Sequence, residues 1–370
     1  MTQMNHITVK SKIYRTLYEA KGFCSRQTLA EVCGVSLPTL YRNLDELMED
    51  GLVRLSGEEQ STGGRKAKGL AIVPDARFSV GVSVNEKTLR LVAADLRMQE
   101  IAYRLLPFDV HACLEGRAPK VAAELEDFLN SYQLDRDRLL GVCVTIPGLV
   151  SEEGMVYFAP ALGAQNFPLR ELLGEIPYPL KVDNDASASG HGECFARRSR
   201  ESMAYLSLEN GVGGAVILGG APYAGNHSRS GEFGHICVEP GGLRCACGKL
   251  GCLEAYCSQK RFERSFGVSI EDFFRGVSEH RPEYEDLLYD ALRHMAVGIN
   301  SIRMTLDCDV ILGGSLSEYL LPYLPAIRRY VLAGNPFAEN ADFVQFSRLR
   351  HHITPLGAAL YFIRDFVESV

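Results

Sequence analysis

Apolar positions near the N-terminus recur with the period of a helix. Between residues 40 and 48, four apolar side chains follow the i, i+4, i+7, i+8 spacing of one buried helix face. Ser36 can cap this helix, and Pro38 stands in its first turn, where a missing N–H costs nothing. A shorter apolar pattern runs from the candidate cap Ser25 to Gly34. Two helices separated by a tight turn at Gly34 and Val35 are the helix-turn-helix arrangement.

After Gly51 the pattern changes to two short strand-like segments. Leu52–Leu55 and Leu70–Val73 flank the polar stretch GEEQSTGGRKAKG. Two strands joined by a polar loop predict a β-wing beside the helices. Residues 1–73 are therefore predicted to form a winged helix-turn-helix domain, with its boundary at Pro74 and Asp75.

From Phe78 onward, apolar strand segments alternate with helical ones. Strand–strand–strand–helix units recur twice, and helical patterns stand at Val121–Tyr132 and Leu287–Leu306. This alternation predicts an α/β domain over residues 74–370. Its final segment, Thr354–Val370, is expected to pack back as a helix on an earlier lobe. No apolar run approaches the roughly 20 residues of a membrane span, and the N-terminus has no apolar secretory signal. We therefore expect a cytoplasmic protein without membrane insertion.

Charge is distributed unevenly between the two predicted domains. The chain has 39 Lys and Arg against 46 Asp and Glu, a net charge of −7. Residues 1–73 contribute +2 and the remainder −9. A mildly basic N-terminal domain followed by an acidic domain is typical of a protein in which only the first domain approaches nucleic acid.

The start of the third helix is the predicted DNA-reading surface, because the N-terminal part of a recognition helix reaches base edges. Positions that alternate with buried leucines there are Thr39, Tyr41, Arg42 and Asn43. In the wing, Arg65 and Lys66 are expected to reach phosphates or the minor groove. The alternatives are a solvated helix face for Arg42, and a winged helix that contacts protein. One module reads a short half-site, so a homodimer or higher homo-oligomer on operator DNA is expected.

Residues 231–257 contain a set of metal-ligating side chains. One imidazole and three thiolates, the tetrahedral set favoured by zinc, come from His235, Cys245, Cys247 and Cys252. All four positions are protein ligands, so the predicted Zn²⁺ is structural rather than catalytic. The alternatives are unpaired core cysteines, or a redox pair of Cys245 and Cys247. A Gly-rich polar loop makes a poor apolar core, however, and a C-x-C pair strains a disulfide. Two further cysteines, Cys237 and Cys257, fall outside the ligand spacing.

The same segment contains a sequence signature. It reads G-E-x-G-H at residues 231–235 and C-x-C-G-x-x-G-C-x-E at residues 245–254. This combination resembles the hallmark of the ROK family of repressors, uncharacterised proteins and sugar kinases. Three other segments resemble family motifs, namely Val144–Gly148, Val182–Ala186 and Leu312–Ser315. The resemblance implies a two-lobed α/β domain of the actin/hexokinase, ribonuclease H-like type. A preceding winged helix with T-G-G-R in its wing is the arrangement of the repressor branch.

The resemblance also implies a sugar site. Carboxylates and an amide can satisfy the donors and acceptors of a polyol, and the zinc would hold neighbouring residues in a fixed orientation. The implied sugar-binding residues are Asn166, Asn184, Asp185, Glu232, His235 and Glu254. The alternative for Asn184 and Asp185 is a turn or helix cap, which their residue types favour.

In the family's kinases, the position of Asp185 is the general base. Phosphoryl transfer also needs loops that cradle the ATP phosphates. Where the family's first loop has D-x-G-G-T, this chain has Ser83, Asn85 and Glu86. Side chains there fill the space that phosphate needs, and Glu86 adds a repelling charge.

The second phosphate segment is altered too, since Glu209 and Asn210 replace the usual Gly-Thr. With both loops changed, no catalysis is expected and Asp185 is a vestigial base. The sequence thus predicts a sugar-responsive, DNA-binding transcription regulator, a repressor of carbohydrate-metabolism genes. The alternative is a ROK sugar kinase for a hexose or N-acetylhexosamine with an added N-terminal domain. A sugar-transport protein is the alternative to a free sugar as the controlling partner.

Overall fold

The computed structural model describes residues 8–20, 22–58, 68–85, 87–117, 119–150, 155–159, 162, 166–199, 201–349 and 352–370. Its N-terminal part is a winged helix made of α1 (Val9–Glu19), α2 (Arg26–Cys33), α3 (Leu37–Glu49) and an antiparallel hairpin of β1 (Val53–Glu58) and β2 (Lys68–Ile72). The hydroxyls of Ser25 and Ser36 cap α2 and α3 by accepting backbone N–H bonds. Gly34 ends α2 with a φ of 64°, a left-handed conformation that suits glycine. The predicted helices, caps and turn are confirmed.

The first α/β lobe is built on a five-stranded sheet. Its elements are β3 (Phe78–Val84), β4 (Thr88–Asp95), β5 (Glu100–Pro107), α4 (Val110–Leu114), α5 (Val121–Ser131), β6 (Leu139–Ile146), a small sheet of β7 (Leu149–Val150), β8 (Met155–Phe158) and β9 (Phe167–Pro168), α6 (Leu169–Leu173) and β10 (Leu180–Asn184). The strand order is β10-β6-β3-β4-β5, in which β3, β4 and β5 are antiparallel and β6 and β10 run parallel to β3. Every residue of β3 is buried, as in a strand covered on both faces.

The second lobe repeats this plan. Its elements are β11 (Met203–Leu208), β12 (Val212–Leu218), β13 (Ala221–Pro222), α8 (Leu253–Cys257), α9 (Gln259–Phe266), α10 (Ile270–Ser278), α11 (Pro282–Leu306), β14 (Asp309–Gly313), α12 (Ser315–Leu320), α13 (Leu324–Ala333) and β15 (Val344–Phe346). The order β13-β12-β11-β14-β15 again joins an antiparallel meander to two parallel strands. The α/β domain predicted from the strand and helix pattern, and the two lobes implied by the family resemblance, are therefore confirmed.

Two helices connect the lobes. The helix α14 (Ile353–Ser369) lies on the first sheet, α7 (Asp185–Arg197) lies on the second, and the two pack against each other. A Cβ on Gly357 of α14 would stand 1.9 Å from Ala188 O of α7, so the backbones approach more closely than a side chain allows. The C-terminal segment thus packs back on an earlier lobe, as predicted.

The winged helix shares a hydrophobic core with the first lobe and α14. Tyr14 of α1 is fully buried and meets Phe366 of α14 edge-on, with ring centroids 6.3 Å apart. Ser11 Oγ donates a hydrogen bond to Glu368 O at 3.2 Å. The chain passes from β2 to β3 through one 3₁₀ turn at Pro74–Ala76. In the described part of the chain, no helix is long and apolar enough to cross a lipid bilayer.

Candidate metal centre and polar cleft

The four predicted metal ligands lie together. Their ligand atoms are all within 4.8 Å of one another in the cluster of His235, Cys245, Cys247 and Cys252. The Sγ atoms of Cys247 and Cys252 are 3.8 Å apart, and Cys245 Sγ is 3.8 Å from His235 Nδ1. Around a tetrahedral zinc with bonds of about 2.3 Å, neighbouring sulfurs would be about 3.8 Å apart. The donor set and its spacing therefore fit zinc.

Backbone turns bring these ligands together. Gly248 and Gly251 have φ values of 89° and 80°, which only glycine adopts without strain. A Cβ on Gly251 would also stand 1.9 Å from Glu239 O. Burial raises the pKa of the Cys245 and Cys252 thiols, so a bound cation is needed to hold both as thiolates near neutral pH.

Two carboxylates, Glu232 and Glu254, lie beside the metal ligands, and with Asp185 they form an acidic cluster that we call the polar cleft. Glu232 Oε2 lies 3.8 Å from His235 Nε2, the ring nitrogen that faces away from Cys245. Glu254 accepts a hydrogen bond from Val212 N–H at 3.1 Å through Oε2, while its Oε1 lies 3.5 Å from Cys245 Sγ. A carboxylate beside a metal-bound imidazole fixes the orientation of the ring. The hydrogen bond from Val212 N–H to Glu254 connects the metal loop to the start of β12.

Asn184 and Asp185 stand where β10 ends and α7 begins. Asn184 Oδ1 accepts from Ala186 N–H and Ser187 N–H, and its Nδ2 donates to Gly148 O at 3.0 Å. The helix-cap interpretation therefore describes Asn184, whose side-chain amide is engaged at both ends. Because Oδ1 already accepts two hydrogen bonds, a ligand would be contacted through the second N–H of Nδ2.

The carboxyl group of Asp185 has a raised pKa. Burial raises the pKa of Asp185 to about 7, and the negative charges of Glu209 and Glu232 add to the effect. Burial also raises the pKa of Glu232, with repulsion from Glu254. A carboxyl whose pKa is raised by burial and by neighbouring carboxylates is typical of a functional site. Asn166, in contrast, is exposed with a φ of 52°, and its described backbone contact is to Tyr157 O.

In the second altered phosphate segment, the Glu209 side chain bonds to the start of α12. Glu209, directly after β11, accepts from Ser315 N–H at 3.0 Å and from Ser315 Oγ at 2.7 Å. Its carboxylate thus caps the N-terminus of α12, directly after the Gly313-Gly314 turn that resembles the family's nucleotide-side motif. The sequence indicated that Glu209 was unusual, but nothing in it pointed to Ser315 as its partner.

The first altered segment is a hairpin turn. Ser83 is buried in β3, and Asn85 N–H donates to Thr88 O at 2.9 Å. Glu86 lies outside the described residues.

Three of the four predicted residues on α3 face outward. Tyr41 and Arg42 are exposed and Thr39 is half-buried. Asn43 is buried, and its Nδ2 donates to Thr39 O at 2.8 Å, so the prediction that it faces the groove is not met. Sequence reasoning missed Arg26, whose guanidinium lies 5.6 Å from the Tyr41 ring centroid and adds positive charge there. Its position directly after the Ser25 cap was the available signal. The wing residues 65 and 66 lie outside the described residues.

Both parts of this chain are similar in sequence to known proteins. The sequence profile of the ROK family matches residues 112–364, and that of winged helix-turn-helix DNA-binding domains matches residues 9–54. The xylose repressor of Bacillus spizizenii is 26% identical over 328 residues, which cover 86% of this chain and 81% of that protein.

Two solved structures have a similar fold. One is a ROK family transcriptional regulator, a homologue of the E. coli MLC protein, with a TM-score of 0.75 and 22% identity over 97% of this chain and 96% of that chain. The other is the ROK hexokinase of Thermus thermophilus, with a TM-score of 0.61 and 28% identity over 78% of this chain and 99% of that chain. The first similarity extends the shared fold over nearly the whole chain.

Proposed function

The chain belongs to the ROK family, and from this premise we propose that it is a sugar-responsive DNA-binding repressor of carbohydrate-metabolism genes. The winged helix, residues 1–73, would read operator DNA, and the two lobes, residues 74–370, would sense the sugar. The likeness to a xylose repressor supports a sugar effector. The observation that supports the proposal most is the continuous packing that leads from the polar cleft to the winged helix.

This packing begins at the cleft. Asp185 is the first residue of α7, and α7 contacts α14 through Ser189 Oγ and Thr354 Oγ1, which are 3.0 Å apart. The opposite end of α14 contacts α1 through Phe366 and Tyr14. Because rigid helices meet at each step, a sugar that changes how the lobes meet would also move the winged helix. A dimer with a fixed half-site spacing would then bind its operator with a different affinity.

The sugar would occupy the cleft where Asp185, Glu232 and Glu254 come together. Glu232 repels both Asp185 and Glu254, and sugar hydroxyls would donate hydrogen bonds to these carboxylates. His235 and Asn184 would add contacts in a fixed orientation. A bound metal would hold the His235 ring, and the cap bonds hold the Asn184 side chain.

For DNA, we propose that α3 enters the major groove through Thr39, Tyr41 and Arg42. Arg65 and Lys66 in the wing would contact phosphates or the minor groove. The proposed species on DNA is a homodimer, since one winged helix reads only a half-site.

The proposed metal is structural Zn²⁺ on the imidazole and three thiolates of the 231–257 loop. It would hold the loop folded, and so keep Glu232 and Glu254 in position, without taking part in chemistry. Four protein ligands leave no coordination position for a substrate.

A sugar kinase is the second candidate function, because a pKa of about 7 suits Asp185 to act as a general base. Two observations oppose it. The Glu209 carboxylate occupies the N-terminus of α12, where a nucleotide phosphate would meet its negative charge. Ser83 provides no carboxylate for Mg²⁺ at the first loop. We therefore propose that the chain does not transfer phosphate.

The test is a thermal-shift screen of the full chain against common monosaccharides, followed by DNA titrations. The DNA would be selected from a random-sequence pool. One sugar should raise the melting temperature and change DNA affinity by about 5–150-fold. Asp185→Ala should lose this response while its sugar-free DNA binding persists. A response to a sugar-transport protein alone would replace the free sugar with a protein effector. Sugar-dependent ADP release at about 1–100 per second would establish the kinase.

A further inference from the structure

One cysteine beside the metal loop has no place in the ligand set. Cys237 lies directly opposite the ligand Cys252 in an isolated antiparallel bridge. The flanking hydrogen bonds run from Val238 N–H to Gly251 O and from Leu253 N–H to Ile236 O, both at 2.8 Å. Bonds on either side, but none between the facing residues, define a non-hydrogen-bonded pair.

That kind of pair brings two side chains together. Facing Cα atoms there are about 4.5 Å apart, and both side chains project from the same face. A disulfide needs Cα atoms about 4.4–6.8 Å apart, so the backbone already meets this requirement. The Cys237 Sγ also leans over the facing strand, since a Cβ on Gly251 would stand 3.2 Å from it.

Exposure distinguishes Cys237 from the other cysteines. Of the eleven in the chain, Cys237 is the exposed one, while Cys252 is buried with 3% of its surface accessible. A small oxidant can reach Cys237 from solvent, and Cys252 faces it across the antiparallel bridge. Cys245 and Cys247 are separated by one residue, which strains a disulfide between them.

We propose that Cys237 and Cys252 form a peroxide-sensitive thiol pair that opens the metal loop. The Cys237 thiolate attacks hydrogen peroxide, so its sulfur is oxidised to a sulfenic acid and the O–O bond is reduced, releasing hydroxide. The Cys252 thiolate then attacks that sulfur, forming the S–S bond and expelling a second hydroxide. Two thiols and one peroxide thus yield one disulfide and two waters.

The consequence rests on the structural zinc proposed above. Once Cys252 is in a disulfide, three ligands remain, and a site with one thiolate fewer binds zinc more weakly. Glu254 follows Cys252 by two residues and Glu232 contacts His235, so loss of zinc would also disorder one wall of the sugar cleft. Peroxide would therefore abolish the sugar response.

The experiment treats the purified full chain with hydrogen peroxide. Zinc release is followed with a colorimetric chelator, and disulfides are mapped by peptide mass spectrometry. The wild type should release its zinc and yield a linked 237–252 peptide pair, both reversed by dithiothreitol with added zinc. Cys237→Ser should bind zinc normally, give no such pair and release zinc more slowly. Cys24→Ser, a half-exposed cysteine of the winged helix, is the matched control and should behave as wild type.

Two results would overturn the proposal. One is zinc release from Cys237→Ser at the wild-type rate, and the other is a disulfide that maps to the ligand cysteines alone. If the protein as purified holds no zinc, the structural-metal proposal fails separately, and peptide mapping of that metal-free chain still decides whether Cys237 and Cys252 pair.

Discussion

Burial disfavours the carboxylate form of Asp185, and Asp185→Asn should remove this cost at alkaline pH. Burial raises the pKa of Asp185 from 3.8 to about 7, with repulsion from Glu209 and Glu232. At about 1.4 kcal/mol for each tenfold change in proton affinity, that shift corresponds to about 4 kcal/mol. Because the side chain keeps some solvent contact, which screens part of this, we expect about 2–3 kcal/mol of destabilisation of the wild type at alkaline pH.

The direction in which stability changes with pH follows from proton binding. Between about pH 4 and pH 7, the folded chain holds a proton on Asp185 that the unfolded chain releases. The contribution of Asp185 to stability is therefore greatest below about pH 4 and declines as the pH rises to the folded pKa. An amide does not ionise, so Asp185→Asn should be close to the wild type near pH 4 and more stable near pH 8. The gain should be about 4 °C in melting temperature.

Thermal unfolding from about pH 5 to pH 8, followed by circular dichroism, measures this difference. Asp286→Asn is the control, because Asp286 is exposed on α11 and the same substitution there relieves no burial. The same Asp185→Asn protein should show no sugar-dependent rise in melting temperature. A residue that lowers stability yet is required for the ligand marks a functional site. A stability difference from the wild type that stays constant across the pH range would refute the reasoning.

Three further outcomes are expected. Cys247→Ser should contain no zinc, against about one per chain in the wild type, and should melt at a lower temperature; elemental analysis showing zinc in both would contradict the ligand set. Replacing Arg65 and Lys66 together with Ala should weaken DNA binding and reduce the salt slope by about 2 per protomer, or about 4 for the proposed homodimer, and an unchanged slope would remove the wing from the interface. Phe366→Ala should bind sugar as the wild type does but show a smaller sugar effect on DNA affinity, measured by paired titrations; an unchanged effect would exclude the α14–α1 contact from the coupling.

Much of the candidate site could be predicted because its signals are local. The metal ligands lie within eighteen positions of one another, and glycines at the turns leave few ways to arrange them. The sugar residues came from the family resemblance instead, and it located Asp185, Glu232 and Glu254 without indicating how they act on one another. Their repulsion became evident only when the lobes were in place.

Asn43 shows why periodicity alone was insufficient. Its position beside the exposed Arg42 predicted a groove-facing side chain, yet it is buried and bonded to Thr39 O. At 100° per residue, a position on the border of a helix face is assigned by what packs beside it.

By itself, the sequence determined the features that act over a few residues: the serine caps of α2 and α3, the turn at Gly34, the strand and helix alternation of an α/β domain and the ligand spacing of the metal loop. Only the tertiary structure decided the contacts that define how the protein would work. Glu209 meets Ser315 across 106 positions, and Tyr14 meets Phe366 across nearly the whole chain. Caps and turns depend on bonds within one or two turns of backbone, whereas these partners depend on how sheets and helices from distant segments pack together.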